Sequence, residues 1–184
     1  MNGNEKGLSL IEVLVSLVIL VIGLIGVFNL HIISKQGSFE AYQQTQASFL
    51  ANDIINKMKL NPQEFADYAG TYPTAEPDEM NSCNNLNAIC SAADMRVADL
   101  AEWSRMLLGR SEMDGENAVG GVESAQGCIF VNDNDVTVAI AWRSIKQIEN
   151  RAEGGEYIAD WDICGEMANS RKRLLVVNTV INGV

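Results

Sequence analysis

The sequence predicts an α+β fold in which a long N-terminal helix leads into a small head domain built on an antiparallel β-sheet. Three features carry this prediction. An apolar run occupies Leu8–Phe28, a helical periodicity continues from that run to Pro62, and short segments of strand composition fill the second half of the chain. Four strands at such spacing indicate an antiparallel sheet laid against the second half of the long helix.

The apolar run is long enough to cross a bilayer. Among its 21 residues only Ser9, Glu12 and Ser16 are neither apolar nor glycine. At about 1.5 Å per residue a helix of that length spans roughly 30 Å, which matches the hydrocarbon core of a membrane. Leu, Ile and Val lie on all sides of this helix, which suits lipid or a helical bundle better than a one-sided surface helix. We therefore predict a membrane-spanning segment.

Glu12 is the residue that an ordinary signal anchor does not explain. A carboxylate at the centre of a membrane helix costs about 2.5–3.5 kcal/mol, and somewhat less near the interface. The only cation nearby in the chain is Lys6. A cut between Gly7 and Leu8 would create an α-amino group one helical turn before Glu12. The amine of one subunit and the glutamate of its neighbour could then pair as their helices pack side by side.

Residues 6–27, KGLSLIEVLVSLVILVIGLIGV, resemble the N-terminal signature of type IV pilins and pseudopilins. In that family a prepilin peptidase cuts after the glycine and methylates the new N-terminus, and a glutamate occupies the fifth mature position. The resemblance implies that residues 1–7 are a leader and that cleavage falls between Gly7 and Leu8. It also implies that Leu8 is N-methylated and that Glu12 serves in assembly by charge pairing.

The segment after the membrane run keeps a helical pattern up to a proline. Mostly apolar positions recur at steps of three or four, at Phe39, Tyr42, Gln46, Leu50, Ile54 and Met58. Pro62 disfavours helix at Asn61 and marks the end. We therefore divide one long helix into a membrane half, 8–34, and an amphipathic half, 35–61. The closing Asn61-Pro62 resembles the helix end of PilV-type minor pilins.

The remainder, residues 62–184, is predicted as the head domain, and residues 63–93 are predicted as irregular. A second helix, DMRVADLAEWSRMLLG, is expected to begin with Asp94 as its N-cap and to stop at Gly109. Its predicted buried face consists of Val97, Leu100, Ala101 and Leu107.

Four segments of the head have strand composition, namely AVGGVES at 118–124, GCIFVN at 127–132, VTVAIAWRS at 136–144 and KRLLVVNTVIN at 172–182. Asp133-Asn134 is expected to form a tight hairpin turn between the second and third of them. This layout resembles the head of PilV-type minor pilins, in which a Trp-bearing helix precedes a glycine-rich turn, a Cys-bearing strand and a VAW-like strand. The matching residues here are Trp103, Gly120, Gly121, Cys128 and Ala141-Trp142.

Four cysteines, all in the head, favour disulfides over a metal site. No two of them lie within four positions of each other, which argues against a zinc ribbon and a C-x-x-C redox motif. In an exported, oxidising compartment an even number of cysteines favours disulfides, with free thiols as the alternative. Three pairings are possible and the sequence does not choose among them. The sequential pairing, taken here as the natural choice, joins Cys83 to Cys90 and Cys128 to Cys164.

The charge of the chain bears on its partners. The formal net charge is −11, and from Asn61 onward nine Lys and Arg face twenty Asp and Glu. Such a surface repels phosphate backbones, so we expect no nucleic-acid partner. Arg171-Lys172-Arg173 is the one basic cluster. As the solvated start of a strand it needs no function, and a contact with another subunit is the alternative.

Catalytic signatures are missing from the sequence. It contains no nucleophile motif, no phosphate loop and no metal signature, and its one histidine, His31, lies where the long helix would leave the membrane. Residues 111–116 carry carboxylates and a glycine but fail the EF-hand pattern, so we interpret them as a solvated acidic turn. We therefore expect no enzymatic activity, no metal and no cofactor.

The resemblance implies a structural protein. As a minor pilin it would join other minor pilins, the major pilin and a tip adhesin, prime pilus assembly at or near the tip, and support adhesion and twitching motility. A prepilin peptidase and the inner-membrane assembly platform would be its further partners. The chain would span the inner membrane through Leu8–Phe28, with a periplasmic head, before it moves to the surface pilus.

Two alternatives to this function stay open. One is a minor pseudopilin of a type II secretion system, which the genomic neighbourhood would separate from a pilus subunit. The other is a membrane-anchored binding module or enzyme whose pilin-like start serves only for export.

Overall fold

The computed structural model describes residues 9–73, 83, 90–147, 164–165 and 171–182. Within them the chain forms a long N-terminal apolar helix followed by a small antiparallel sheet, so the predicted α+β fold class is confirmed. The predicted leader and cleavage site, residues 1–8, lie outside the described residues.

The chain forms two compact units, Met1–Phe39 and Glu40–Val184. The helix α1, Leu10–Leu60, contributes residues 10–39 to the first unit and residues 40–60 to the second. It contains no proline, and it ends where the sequence predicts, because Pro62 restricts Asn61. The amide of Asn61 still donates to the carbonyl of Lys57, at 3.1 Å, and closes the last turn.

The second unit combines the end of α1 with a further helix and two sheets. A four-stranded antiparallel sheet has the order β1-β4-β5-β6, and β2 and β3 form a separate two-stranded hairpin. After a short 3₁₀ turn at Phe65–Tyr68, the elements are β1 (Gly70–Tyr72), α2 (Ala92–Leu107), β2 (Met113–Asp114), β3 (Asn117–Ala118), β4 (Gln126–Asn132), β5 (Asp135–Arg143) and β6 (Lys172–Val180).

The sequence located three of the four strands of the main sheet. The segments predicted at 127–132, 136–144 and 172–182 are β4, β5 and β6. The predicted turn at Asp133-Asn134 joins β4 to β5, with Asp133 at a φ of 53°. A short polar side chain tolerates this left-handed conformation, which explains why the turn was recognisable.

The prediction of a strand at 118–124 was wrong. Only Ala118 of that segment is in a strand, and the fourth strand of the main sheet is β1, from a segment predicted as irregular. Gly121 packs on the backbone of Gly109 so closely that a Cβ on it would lie 2.5 Å from the Gly109 nitrogen. Glycine is therefore required at both positions, because the two backbone segments are in close contact at this turn. The three residues of β1 are too few to show an alternating pattern.

The buried face of α1 differs from the predicted stripe. Phe39 and Tyr42 are exposed and Gln46 is half-buried, whereas Leu50, Ile54 and Met58 are buried as predicted. The face that contacts the head consists of Gln43, Ala47, Leu50, Ala51, Ile54, Ile55 and Met58. Small alanines can form a contact face because they let a helix pack closely, and a search for large apolar residues overlooks them.

The second helix begins earlier than predicted. Its N-cap is Ser91, whose hydroxyl accepts from the amide of Asp94, while the Asp94 carboxylate accepts from the Ser91 amide at 3.1 Å. Asp94 is therefore the third residue of a capping box and not the N-cap itself. Burial on this helix centres on Trp103, Ser104 and Leu107, and the predicted core residue Val97 is exposed.

The predicted stop at Gly109 is confirmed. Gly109 has a φ of +71°, and its amide donates to the carbonyl of Met106 at 3.0 Å. The next amide, of Arg110, donates to the carbonyl of Arg105 at 2.8 Å. This pair of bonds is a Schellman motif, which favours glycine at the left-handed position.

Trp103 joins the two helices to the sheet. It is fully buried, and its indole N–H donates to the backbone carbonyl of Leu50 in α1, at 2.9 Å. Tyr72 of β1 packs edge-on against the indole, with 5.7 Å between the ring centroids. A Cβ on Gly127 of β4 would lie 2.3 Å from Cη2 of Trp103, so this strand needs a glycine where the indole crosses it.

The structure contains two disulfides, Cys83–Cys90 and Cys128–Cys164. This is the sequential one of the three pairings that the sequence left open. Cys128 lies in β4 and forms a second, smaller apolar cluster with Cys164, Ala139, Ala141 and Leu174. The disulfide thus covers the face of the sheet opposite the main core.

Candidate functional site

Glu12, which the sequence predicts to serve in assembly, lies in the first turn of α1. Its backbone amide donates to the carbonyl of Ser9, at 2.9 Å. The first amides of a helix carry a partial positive charge, which favours a carboxylate in this turn. The predicted cleavage pair, Gly7 and Leu8, precedes the described residues, and the structure does not test its role.

Glu12 makes no ion pair with any described residue of its own chain. Its side chain is exposed, and its neighbours on the helix are Ser9, Ile11, Val13, Val15 and Ser16. A full charge among apolar side chains therefore depends on a group outside this part of the chain for compensation.

The large apolar side chains of the first unit are exposed throughout its described part, which begins at Ser9. From Leu10 to Ile33 the large hydrophobic residues have relative exposures between 45% and 78%. The helix is long and apolar enough to cross a membrane, and its most apolar stretch buries none of its residues within the chain. Such a surface is stable only in lipid or against other helices.

Gly23 and Gly26 lie within this exposed helix. A Cβ on either glycine would meet no atom within 4 Å. The fold of the chain itself therefore does not require glycine at these positions. Small residues along an apolar helix permit close approach of a second helix.

A second carboxylate of the same helix, Glu40, is held by the head. It accepts from the hydroxyl of Ser144, from the amide of Ile145 at 2.9 Å and from the amide of Lys146 at 3.3 Å. Arg173 Nε of β6 lies 3.7 Å from its other oxygen. Burial raises the pKa of Glu40, but these hydrogen bonds and the charge of Arg173 outweigh it, so the pKa lies below its usual value.

The contacts of Glu40 were not predictable from the sequence. Its hydrogen-bond partners lie 104 to 106 residues further along the chain, so no local pattern identifies them. The interaction fixes the start of the second unit's part of α1 to the residues that follow β5, and it therefore positions residues 40–60 on the sheet.

Lys57 of α1 lies close to two carboxylates of α2, Asp99 and Glu102, and to one of its own helix, Asp53. Its Nζ lies 2.6 Å from Glu102 Oε2 and 3.8 Å from both Asp53 and Asp99. Burial raises the pKa of Asp53, and Glu102 and Asp99 act in the same direction, while Lys57 opposes them. The cluster is a cross-link between two helices and has no catalytic arrangement.

Among the described residues no group of three His, Cys, Asp or Glu side chains could hold a metal ion. His31 is exposed on α1. The acidic loop at 111–116 includes β2 of the small hairpin, and its side chains point to solvent.

Comparison with known proteins gives one match. Residues 2–28 match the family model of the prokaryotic N-terminal methylation motif. The search of curated proteins and the search of solved structures found no match. The motif supports a type IV pilin or pseudopilin, which are structural proteins and not enzymes. It implies processing by a prepilin peptidase and assembly with other pilins, and it fits membrane anchoring before assembly.

Proposed function

We propose that this protein is a minor pilin of a type IV pilus. The observation that carries the proposal is the match of residues 2–28 to the methylation motif, together with the exposed apolar helix that contains Glu12. A helix of this kind anchors the subunit in the inner membrane before assembly and packs with other helices in the filament afterwards. The head then faces the periplasm first and the cell exterior later.

Processing creates the charge that Glu12 needs. Prepilin peptidase cuts between Gly7 and Leu8 and methylates the amine of Leu8, which stays basic and therefore positive. In the filament the amine of one subunit pairs with Glu12 of its neighbour. In a medium of low dielectric such a pair recovers much of the cost of holding a carboxylate in hydrocarbon.

The head supports a minor rather than a major subunit through its resemblance to PilV-type heads. The matched residues Trp103 and Cys128 have structural roles here, since Trp103 bridges α1 and β4 and Cys128 forms a disulfide. We propose that the subunit joins other minor pilins and a tip adhesin at or near the tip, primes assembly on the inner-membrane platform, and supports adhesion and twitching motility.

The test is incorporation of Glu12→Ala into filaments. The variant removes a charge from the helix that would enter the membrane, so membrane insertion should stay intact or improve. We expect its amount in sheared pili to fall at least tenfold relative to the wild type, because the subunit lacks the partner for a neighbouring amine. Ser16→Ala, one turn further along the same helix, is the control and should be incorporated normally. Normal incorporation of Glu12→Ala would remove Glu12 from charge pairing.

A type II secretion pseudopilin is the alternative function, because pilins and pseudopilins share the methylation motif. Deletion of the gene separates the two. Loss of surface pili with normal secretion supports the minor pilin, whereas loss of protein secretion with normal pili supports the pseudopilin.

A further inference from the structure

A polar cluster lies on the core face of the main sheet, where the second unit's part of α1 begins. Trp142 of β5, a member of the main core, and Arg173 of β6 are directly opposite each other in the sheet. Side chains at opposite positions of an antiparallel pair share one face and lie side by side. Arg173 lies close to Glu40 of α1, and the hydroxyl of Ser144 donates to the same carboxylate. We call Glu40, Trp142, Ser144 and Arg173 the polar cluster.

Two N–H groups of the polar cluster are buried and have no acceptor among the described residues. They are Nε1 of Trp142 and Nη1 of Arg173. Trp142 as a whole is only 4% exposed. A buried donor without an acceptor loses the hydrogen bond that it makes to water in the unfolded chain, so folded proteins rarely contain one. Two such donors in one cross-strand pair point to a shared acceptor.

The carboxylate of Glu40 uses its two oxygens unequally. Oε1 accepts from the Ser144 hydroxyl and from the amides of Ile145 and Lys146. Oε2 lies 3.7 Å from Nε of Arg173, which is longer than a hydrogen bond. A polar separation of this length suits two groups that are bridged by a water molecule. The cluster thus has buried donors in excess on the sheet and acceptor capacity to spare on the helix.

The charges of the polar cluster decide between a water molecule and an anion. Arg173 and Glu40 carry opposite charges, and an anion between them would be repelled by the carboxylate. Lys146 beside them is exposed, so solvent weakens the field of its ammonium group. A neutral ligand that both accepts and donates therefore fits best. A water molecule with two donors and one acceptor around it makes three hydrogen bonds, the usual number for a buried water.

We infer that one internal water molecule is bound in the head between Trp142, Arg173 and Glu40. It accepts from Nε1 of Trp142 and Nη1 of Arg173, and it donates to Oε2 of Glu40. The water then links β5, β6 and α1, and it completes the contact by which Glu40 holds residues 40–60 on the sheet. This inference rests on the polar cluster alone and is independent of the proposed pilin function.

Nuclear magnetic resonance of the full-length chain in neutral detergent micelles tests the inference. The tryptophans are labelled with ¹⁵N, and Trp142→Phe and Trp161→Phe assign the three indole N–H signals. A water-selective Overhauser experiment detects long-lived water beside an N–H, and the sign of the rotating-frame signal separates bound water from proton exchange. We expect a bound-water cross-peak at the Trp142 indole. Trp103 is the internal control, because its fully buried N–H donates to the carbonyl of Leu50, and it should show none.

Arginine variants locate the water. Arg173→Met removes Nη1 and should abolish the cross-peak at Trp142. The matched control is Arg143→Met, which removes an exposed guanidinium next to Trp142 in the chain but on the other face of the sheet, where it pairs with Glu123. Its cross-peak should equal that of the wild type. Circular dichroism checks that the sheet is retained, and the contrast between Trp142 and Trp103 in the wild type decides if Arg173→Met does not fold.

Replacement of sodium sulfate by sodium chloride at constant ionic strength separates water from an anion. The Trp142 indole shift should stay constant, whereas a saturable shift would identify a chloride site and contradict a neutral ligand. Three further results would overturn the inference. They are the lack of a cross-peak at Trp142, an equal cross-peak at Trp103, and an unchanged cross-peak in folded Arg173→Met.

Discussion

Two glutamates of one helix have opposite surroundings. Glu12 is exposed among apolar side chains and has no ion pair among the described residues, whereas Glu40 accepts from three donors of the head. Glu12 could be recognised from the sequence because a charge in an apolar run is costly and therefore conspicuous. Glu40 could not, because its partners are brought to it only by the fold.

Replacement of Glu40 by Gln should destabilise the second unit. At pH 7 we expect a loss of about 1 kcal/mol, because hydrogen bonds to a charged acceptor are lost at a partly solvated site. Urea unfolding of the full-length chain in micelles measures it. Gln44→Ala, an exposed position on the same helix, is the control and should change stability by no more than about 0.5 kcal/mol.

The effect of Glu40→Gln should depend on pH. The pKa of Glu40 is lower in the folded chain than its ordinary value of 4.5. Its stabilising contribution is therefore fully present above that ordinary value and is lost as the pH falls through the folded pKa. The gap between wild type and variant should close on acidification below about pH 4.5. A gap that stays constant down to pH 3 would contradict an ionised Glu40 as the acceptor.

Replacement of Gly127 by Ala should also be destabilising. The new methyl group would meet the Trp103 ring, and overpacking of this kind costs about 1–3 kcal/mol. Thermal unfolding followed by circular dichroism should show a Tm lower by several degrees. Gly37→Ala is the matched control, since a Cβ there meets no atom within 4 Å and alanine favours helix. An unchanged Tm for Gly127→Ala would mean that the indole does not cross β4.

At the scale of elements, the sequence predicted those that have a strong local signal. The helix α1, the hairpin of β4 and β5, and the strand β6 follow from periodicity, composition and turn residues. The strand β1 and the turn at Gly120-Gly121 depend on contacts with distant backbone, and local composition does not encode them. The start of α2 was missed because Ser91 and Asp94 act as a pair, and only the pair identifies the cap.

The two disulfides should contribute unequally to stability. The linkage Cys128–Cys164 closes a separation of 36 residues, and Cys83–Cys90 closes one of 7. The chain-entropy model gives about 4 kcal/mol for the first and about 2.5 kcal/mol for the second. Urea unfolding of the two double Cys→Ala variants, exported to an oxidising compartment, should show this order.

Mapping of non-reduced peptides checks the linkages in the same samples. It should recover both pairs and no free thiol. Four titratable thiols in the exported wild type, or a larger loss of stability from removal of the Cys83–Cys90 pair, would contradict this account.

At the scale of the whole molecule, the two units differ in whether their apolar side chains are buried within the chain. The second unit buries its apolar side chains in its own core, around Trp103, Ile54 and Ile140. The first unit exposes its apolar side chains along α1. The apolar run in the sequence was sufficient to predict the exposed surface of the first unit, which is long and apolar enough to cross a membrane.

The most direct test of the account is the intact mass of the protein extracted from membranes. In cells with prepilin peptidase we expect a chain that begins at Leu8, lacks residues 1–7 and carries one added methyl group. In cells without the peptidase the chain should begin at Met1 and carry no methyl group. A chain that begins at Met1 in both strains would identify residues 8–28 as an ordinary signal anchor and would contradict the pilin proposal.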